Sequence, residues 1–224
     1  MTSPRVVDVG RWEPDASGRL RQAAMELYVE RGFEQTTVAE ISERAGLTAR
    51  TFFRHFADKR EVLFAGSGSL QELLVGALDD APDSASPMAA VSAALAAAAA
   101  ALGQHREYSR QRQSVIAANS ELRERELIKM ASLAVALADG LRRRGVDDAN
   151  ASLAAEAGIA VLRVAFERWV TEPGDQDLVQ VIRDSLDQLR NLTATADRGR
   201  GGIREPATTA AWTWTDQGAA AAVR

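Results

Sequence analysis

Residues 36–56 read TTVAEISERAGLTARTFFRHF, and the punctuation of this stretch decides the fold. Thr37-Val-Ala-Glu40 has capping-box spacing: the threonine hydroxyl can accept from the Glu40 backbone N–H while the glutamate reaches back to the Thr37 N–H. The helix so opened buries Val38, Ile41 and Ala45, and Gly46 breaks it. Thr48 is a good N-cap and starts another helix, leaving only a tight turn around Ala45-Gly46-Leu47. Two short helices joined by a glycine-containing turn form a helix-turn-helix.

The second of these helices has two faces. At about 100° per residue from Thr48, Ala49, Phe52, Phe53 and Phe56 fall on an arc of about 40° to 140°. Arg50, Thr51, Arg54 and His55 fall at roughly 200° to 340°. The aromatic side is expected to pack on the preceding helices, Phe53 included. The basic, hydroxyl-bearing side suits the major groove of B-DNA, where arginine bonds guanine O6 and N7 and threonine meets a thymine methyl.

Working outward, helical periodicity continues in both directions, with no strand alternation or hairpin chemistry. Upstream, Leu20, Ala23, Ala24, Leu27 and Tyr28 make an amphipathic stripe that Gly32 ends. Downstream, Asp58-Lys-Arg-Glu61 has the spacing to open a helix through VLFAGSGSLQELLVGAL, in which Gly66 and Gly68 suggest a closely packed neighbour in preference to a helix meant to yield. APDSASP at 81–87 is a linker ending in an N-cap serine and Pro87, which opens an alanine-rich helix. Polar residues at 104–114 interrupt the apolar pattern. A long helix from Ser120 to Arg144 ends in an arginine triplet that satisfies its own C-terminal dipole.

Two further helices follow. In 149–172, Leu153, Ala157, Val161, Ala165 and Trp169 form one stripe, with Gly158, Leu162 and Phe166 beside it. In 176–192, Leu178, Ile182, Leu186 and Leu189 form another. From Thr193 the composition reads as disordered, Trp212 and Trp214 being out of character there. The expected organisation is all-α: a flexible arm at 1–16, a helix-turn-helix domain at 17–65, a helical ligand-binding and dimerisation domain at 66–192, and a tail at 193–224.

Composition bounds the function. The 224 residues contain no cysteine, which excludes disulfides, thiolate metal sites and a cysteine nucleophile. The opening MTSPRVVDVGRWEPD lacks a leader pattern and the longest weakly polar run, 88–103, is short for a membrane span, so a cytoplasmic protein without membrane partners is expected. The net charge is −4. Yet residues 44–60 hold Arg44, Arg50, Arg54, Lys59 and Arg60 against Asp58 alone, a local patch that suggests a polyanion. Enzymatic chemistry would have to come from His55, His105 or scattered carboxylates. His105 stands alone without metal-ligand spacing, so neither a catalytic residue, a cofactor nor a metal is expected.

The stretch TTVAEISERAGLTARTFFRHFADKREVL, 36–63, resembles the tetracycline-repressor (TetR) family of bacterial regulators. That resemblance implies a homodimer whose N-terminal helices read double-stranded DNA and whose helical body carries an effector pocket. Carried over by position, Thr36 and Thr37 would touch phosphate, and His55 and Lys59 would hold phosphates. Ala49, Arg50, Thr51 and Arg54 would face bases, with Thr48 in the same DNA-facing set.

The sequence departs from the family where Arg50 replaces a residue that is often small and where Phe53 replaces a common tyrosine. Losing the tyrosine hydroxyl leaves Phe53 as packing, and Arg50 shifts preference toward guanine. Residues 110–170 resemble the actinobacterial TetR subgroup thought to sense acyl-CoA-like ligands. That suggests Phe166 and Trp169 as pocket lining. The broad apolar faces of the last two helices either cap their own core or pack against a second subunit, and the second reading puts Val161, Leu178, Ile182, Leu186 and Leu189 at the dimer interface. Effector entry between the fifth and eighth helices would move the fourth as a lever. An effector-independent DNA binder is the alternative.

Overall fold

The computed structural model describes residues 16–198, all helix, turn and loop within that range. The expected N-terminal arm, most of the tail, Trp212 and Trp214 lie outside the described residues. The helices are α1 (Ala16–Arg31), α2 (Val38–Arg44), α3 (Ala49–His55), α4 (Ser67–Asp79), α5 (Pro87–Leu102), α6 (Arg106–Ala117), α7 (Ser120–Arg143), α8 (Asp148–Thr171) and α9 (Leu178–Arg198). Residues up to Leu189 make one compact unit, and the described part of the remainder, Arg190–Arg198, continues as helix. The helix passes Thr193, where disorder was expected, because Ala194 and Ala196 favour helix and the first breaker is Gly199.

Two cores organise the compact unit. The first gathers Leu20, Leu27, Tyr28, Ile41, Phe52 and Phe56 from α1–α3, and also Val115 and Ile116 from α6 and Leu122 from α7. The core of the helix-turn-helix segment therefore draws on residues beyond 65, from α6 and the start of α7. The second core is the body, where α4, α5, α7, α8 and α9 bury Leu78, Leu95, Leu137, Leu162 and Ile182 among others. The stretches Pro87–Ala117 and Asp148–Thr171 are long and apolar enough by composition to cross a membrane. Ala90, Leu95, Ala98, Ala155, Leu162 and Ala165 explain that apolarity, since all are buried in the body core.

Several expectations change here. The segment after Asp58 is a short 3-10 turn, Glu61–Phe64, separated from α4 by Ala65-Gly66. Asp58 does cap it, its carboxylate accepting from the N–H groups of Arg60 at 2.8 Å and Glu61 at 3.1 Å. A Cβ at Gly66 or Gly68 would meet nothing within 4 Å, so these glycines mark the break rather than a packed neighbour. The polar stretch 104–114 is mostly α6: its arginines reach carbonyls of other elements, which leaves no apolar stripe to read. In the arginine triplet, Arg144 caps a different helix from the one that carries it. It donates to Ala81 O at 2.8 Å and Pro82 O at 2.6 Å, just past the C-terminus of α4.

Close approach of α5 and α8 depends on Gly158, where an added Cβ would lie 2.4 Å from Val91 Cγ1. Valine is stiff at χ1 and fully buried here, so it cannot swing aside. We expect Gly158→Ala to lower stability by about 1–3 kcal/mol, read as a lower urea midpoint. Gly140→Ala, opposed at 3.0 Å by the flexible end of Leu78, should cost less. An unchanged midpoint in Gly158→Ala would show that α5 and α8 are not in this contact.

Candidate nucleic-acid interface

The reader is assembled by caps. Thr37 Oγ1 accepts from Glu40 N at 3.3 Å and the Glu40 carboxylate accepts from Thr37 N at 2.9 Å, completing the capping box. That backbone hydrogen bond, with the Thr37 hydroxyl, holds the Glu40 carboxyl below its ordinary range, so it stays ionised. At the other end of α2, Gly46 has φ 64, a left-handed turn that lets Leu47 N donate to Ser42 O at 2.8 Å. Arg19 adds a second tie across that end, donating to Ala45 O at 2.7 Å. Thr48 then caps α3 by accepting from Thr51 N at 3.2 Å.

The predicted site residues separate into three groups. Arg50, Arg54 and His55 are exposed, as are Thr37, Thr48 and Ala49, while Thr51 is half-buried with its hydroxyl 3.0 Å from that of Thr48. Thr36 is buried and spends its hydroxyl on Gly32 O at 2.9 Å, which removes it from the surface that meets phosphate. Lys59 is also committed internally. Its ammonium donates to Phe33 O at 2.8 Å, Thr36 O at 3.0 Å and Glu34 O at 3.3 Å, and sits 4.3 Å from the Phe33 ring centroid. A lysine has three N–H donors, so this one is a clamp on the α1–α2 turn rather than a free phosphate anchor.

Two further cations of the basic patch are neutralised by carboxylates. Arg44 makes a two-pronged ion pair with Glu30 at 2.9 and 3.0 Å, which holds the glutamate carboxyl below its usual range. Arg60 pairs with Asp58 at 2.7 Å and with Glu121. Among the described residues, Arg50 and Arg54 are the arginines of the patch left without a hydrogen-bond or ion-pair partner, and both lie on α3. Two guanidiniums kept unpaired and outward, beside neighbours that are all paired, are groups available to an external anion or base edge.

Phe53 was misread. Phe52 and Phe56 are buried at 0% and 6% exposure, but Phe53 is 58% exposed. On the helical wheel the exposed arc therefore runs from Ala49 through Phe53 and Arg50 to Arg54, and Phe53 belongs to the outward surface.

The body residues fare differently from expectation too. Val161, Leu178, Ile182 and Leu186 are buried in the core of their own chain and Leu189 packs against that core, so they do not form a surface for a second subunit. Leu153, expected on the same stripe as Val161, is 70% exposed. Trp169 is buried, donates from Nε1 to Gln176 O at 3.0 Å and packs 5.8 Å from the half-buried Phe166 ring. Its polar atom is thereby spent within the fold. Sequence reasoning also missed what joins reader to body. Glu61 pairs with Arg125 at 2.5 Å and Lys129 at 3.6 Å, and Arg112 donates to Leu63 O at 2.8 Å while pairing with Glu126 at 3.1 Å.

A capped helix-turn-helix with unpaired arginines on its second helix, carried by a helical body, defines a helix-turn-helix regulator fold. Residues 20–65 match the family described as bacterial regulatory proteins, tetR family, and residues 85–194 match the MftR C-terminal domain. The chain belongs to the tetR family. It is 39% identical over 74 residues to the HTH-type transcriptional regulator TcmR of Streptomyces glaucescens, an alignment covering 33% of each chain. The chain thus spans about a third of the length of that curated relative.

Solved structures share the fold over much more of their length. The SmeT–triclosan complex, SmeT being the repressor of a Stenotrophomonas maltophilia multidrug efflux pump, is 23% identical with a TM-score of 0.58, covering 87% of this chain and 99% of the other. FadR from Bacillus subtilis in complex with stearoyl-CoA is 19% identical with a TM-score of 0.56, covering 77% and 96%.

Proposed function

We propose that the protein is a cytoplasmic transcriptional regulator, acting as a repressor, that binds a near-palindromic operator as a homodimer and is released by a small hydrophobic effector. The observation that carries the DNA-binding part is the outward pair Arg50 and Arg54 on a capped α3, unpaired while every neighbouring cation is paired. Phosphate contacts come from the exposed Thr37 and His55 and from the backbone around Thr48.

For the dimer, Leu153, Ala157, Ala160 and Val164 recur at i, i+4, i+7 and i+11 on α8, with Leu153 and Val164 70% and 46% exposed. That apolar stripe, in place of the buried residues first expected, suits a second copy of the chain. For the effector, an acyl-CoA-like molecule is favoured by the resemblance of residues 110–170, and the fold neighbour FadR holds stearoyl-CoA. Coupling would pass through the 3-10 turn Glu61–Phe64, which α6 holds by the Arg112 hydrogen bond and α7 by ion pairs to Glu61, rather than through α4 as a continuous lever. An effector that favours a different setting of α7 would release the reader, since only differential affinity shifts the equilibrium.

The test is selection of duplexes from a random library by purified protein, followed by titration of that complex with salt and with acyl-CoAs of graded chain length. We expect an enriched motif with two-fold symmetry, affinity that falls steeply with salt, and release by at least one acyl-CoA. No enriched motif would sink the DNA-binding reading. A motif unaffected by the whole panel would leave an effector-independent DNA binder.

A further inference from the structure

We propose that Phe53 is a base-reading residue that takes the 5-methyl group of a thymine next to the base pair read by Arg50. This rests on the DNA-binding reading above and adds a second specificity determinant to it.

The ring is placed for such a contact. Phe53 is 58% exposed, although its helix neighbours Phe52 and Phe56 are buried. It stands edge-on to Phe52, ring centroids 5.5 Å apart and planes at 82°, so a fully buried ring fixes its orientation from below. On α3 it follows Ala49 by one turn and lies between Ala49 and Arg50 on the exposed arc. Ala49 is too short to hold the duplex away from the ring.

Chemistry then selects the target. A phenyl ring has no donor for a phosphate oxygen, and pressing it on the backbone would strip water from phosphates without replacing it. In the major groove, the methyl group that a base presents is the thymine 5-methyl, against which aromatic and other apolar side chains pack. Arg50 and Arg54, exposed on the side of the ring away from Ala49, keep it over the groove rather than against a protein surface, because two unpaired cations disfavour an apolar partner.

The experiment uses the full chain and the operator obtained by library selection. Each thymine of the operator is replaced in turn by deoxyuridine, which removes the 5-methyl and leaves base pairing intact. We expect one symmetry-related thymine whose replacement weakens binding about four-fold per half-site, roughly fifteen-fold when both are replaced, from the burial of about one methyl group each.

Phe53→Ala should lose preference for that T·A pair and bind thymine and uracil operators equally. Phe53→Leu, still apolar, should retain the preference. As Phe53 is outside the core, both variants should melt with the unaltered protein, and the uracil series needs no variant at all. If no uracil replacement weakens binding, or if Phe53→Ala remains as sensitive to uracil as the parent, the proposal fails while the DNA-binding reading stands. If no duplex is selected in the first place, the DNA-binding reading itself fails.

Discussion

Replacing Phe52 by alanine is expected to melt the reader. The side chain is fully buried, with ring contacts to Phe53 and Phe56 each at 5.5 Å between centroids, and it belongs to the cluster that includes Ile41, Tyr28 and Leu27. Truncating a buried phenylalanine to alanine costs about 3–5 kcal/mol, a large share of the ~5–15 kcal/mol that holds a typical domain. A seven-residue helix has almost no stability of its own, so α3 depends on this contact for its existence.

The damage should not stay local. Val115, Ile116 and Leu122 of α6 and α7 lie in the same cluster, so loosening it also frees the body's grip on the Glu61–Phe64 turn. Calorimetry of Phe52→Ala should show a melting temperature lower by on the order of 10 °C, and operator binding should be lost at temperatures where the parent binds. A variant that melts within a few degrees of the parent would mean that α3 is held by something other than its buried ring. The contrast with Phe53, one residue along, is the sharpest internal control: the same chemical truncation there should leave melting untouched.

That contrast also shows what the sequence could and could not convey. The caps of α2 and α3 were legible because each is a local device: Thr37, Glu40, Gly46 and Thr48 act within four residues of one another. Phe52 was legible for a related reason, since it lies opposite the two arginines on any helical wheel. Phe53 was not. A wheel gives angles between side chains but not the angle at which the helix meets its neighbours, and burial centred near Phe52 and Phe56 leaves the next aromatic outside. Lys59 failed for a different reason. Its partners are the carbonyls of Phe33, Glu34 and Thr36, which no charge count reveals, so an apparent free cation is an internal brace. Arg144 and Arg112 likewise have partners 49 to 66 residues away, and their long stems leave no periodic trace. Burial of the residues expected at a dimer interface was equally illegible, since core-facing and exposed stripes on α8 are both apolar. Only exposure separates Leu153 and Val164 from Val161 and Leu162.

Replacing Arg50 by alanine is the change expected to alter function most without altering the fold. Arg50 is exposed near the middle of the outward arc of α3, and among the described residues it has no hydrogen-bond or ion-pair partner, so its removal strands no buried group. An arginine contacting guanine O6 and N7 with two parallel hydrogen bonds contributes about 1–3 kcal/mol of discrimination per base pair. An operator with two half-sites doubles this, so affinity for the selected operator should fall between roughly 30-fold and 10⁴-fold, each 1.4 kcal/mol being a factor of ten. Affinity for random duplex should fall far less, because only one charge per subunit is lost from the phosphate attraction. The motif selected by Arg50→Ala should therefore lose its guanine at one position per half-site while keeping the other positions. Arg50→Lys should not restore it, since an ammonium lacks the planar fork that makes the contact bidentate. If instead Arg50→Ala selects the parent motif at uniformly lower affinity, Arg50 holds a phosphate and the base contacts of α3 must be sought in Arg54 and its neighbours.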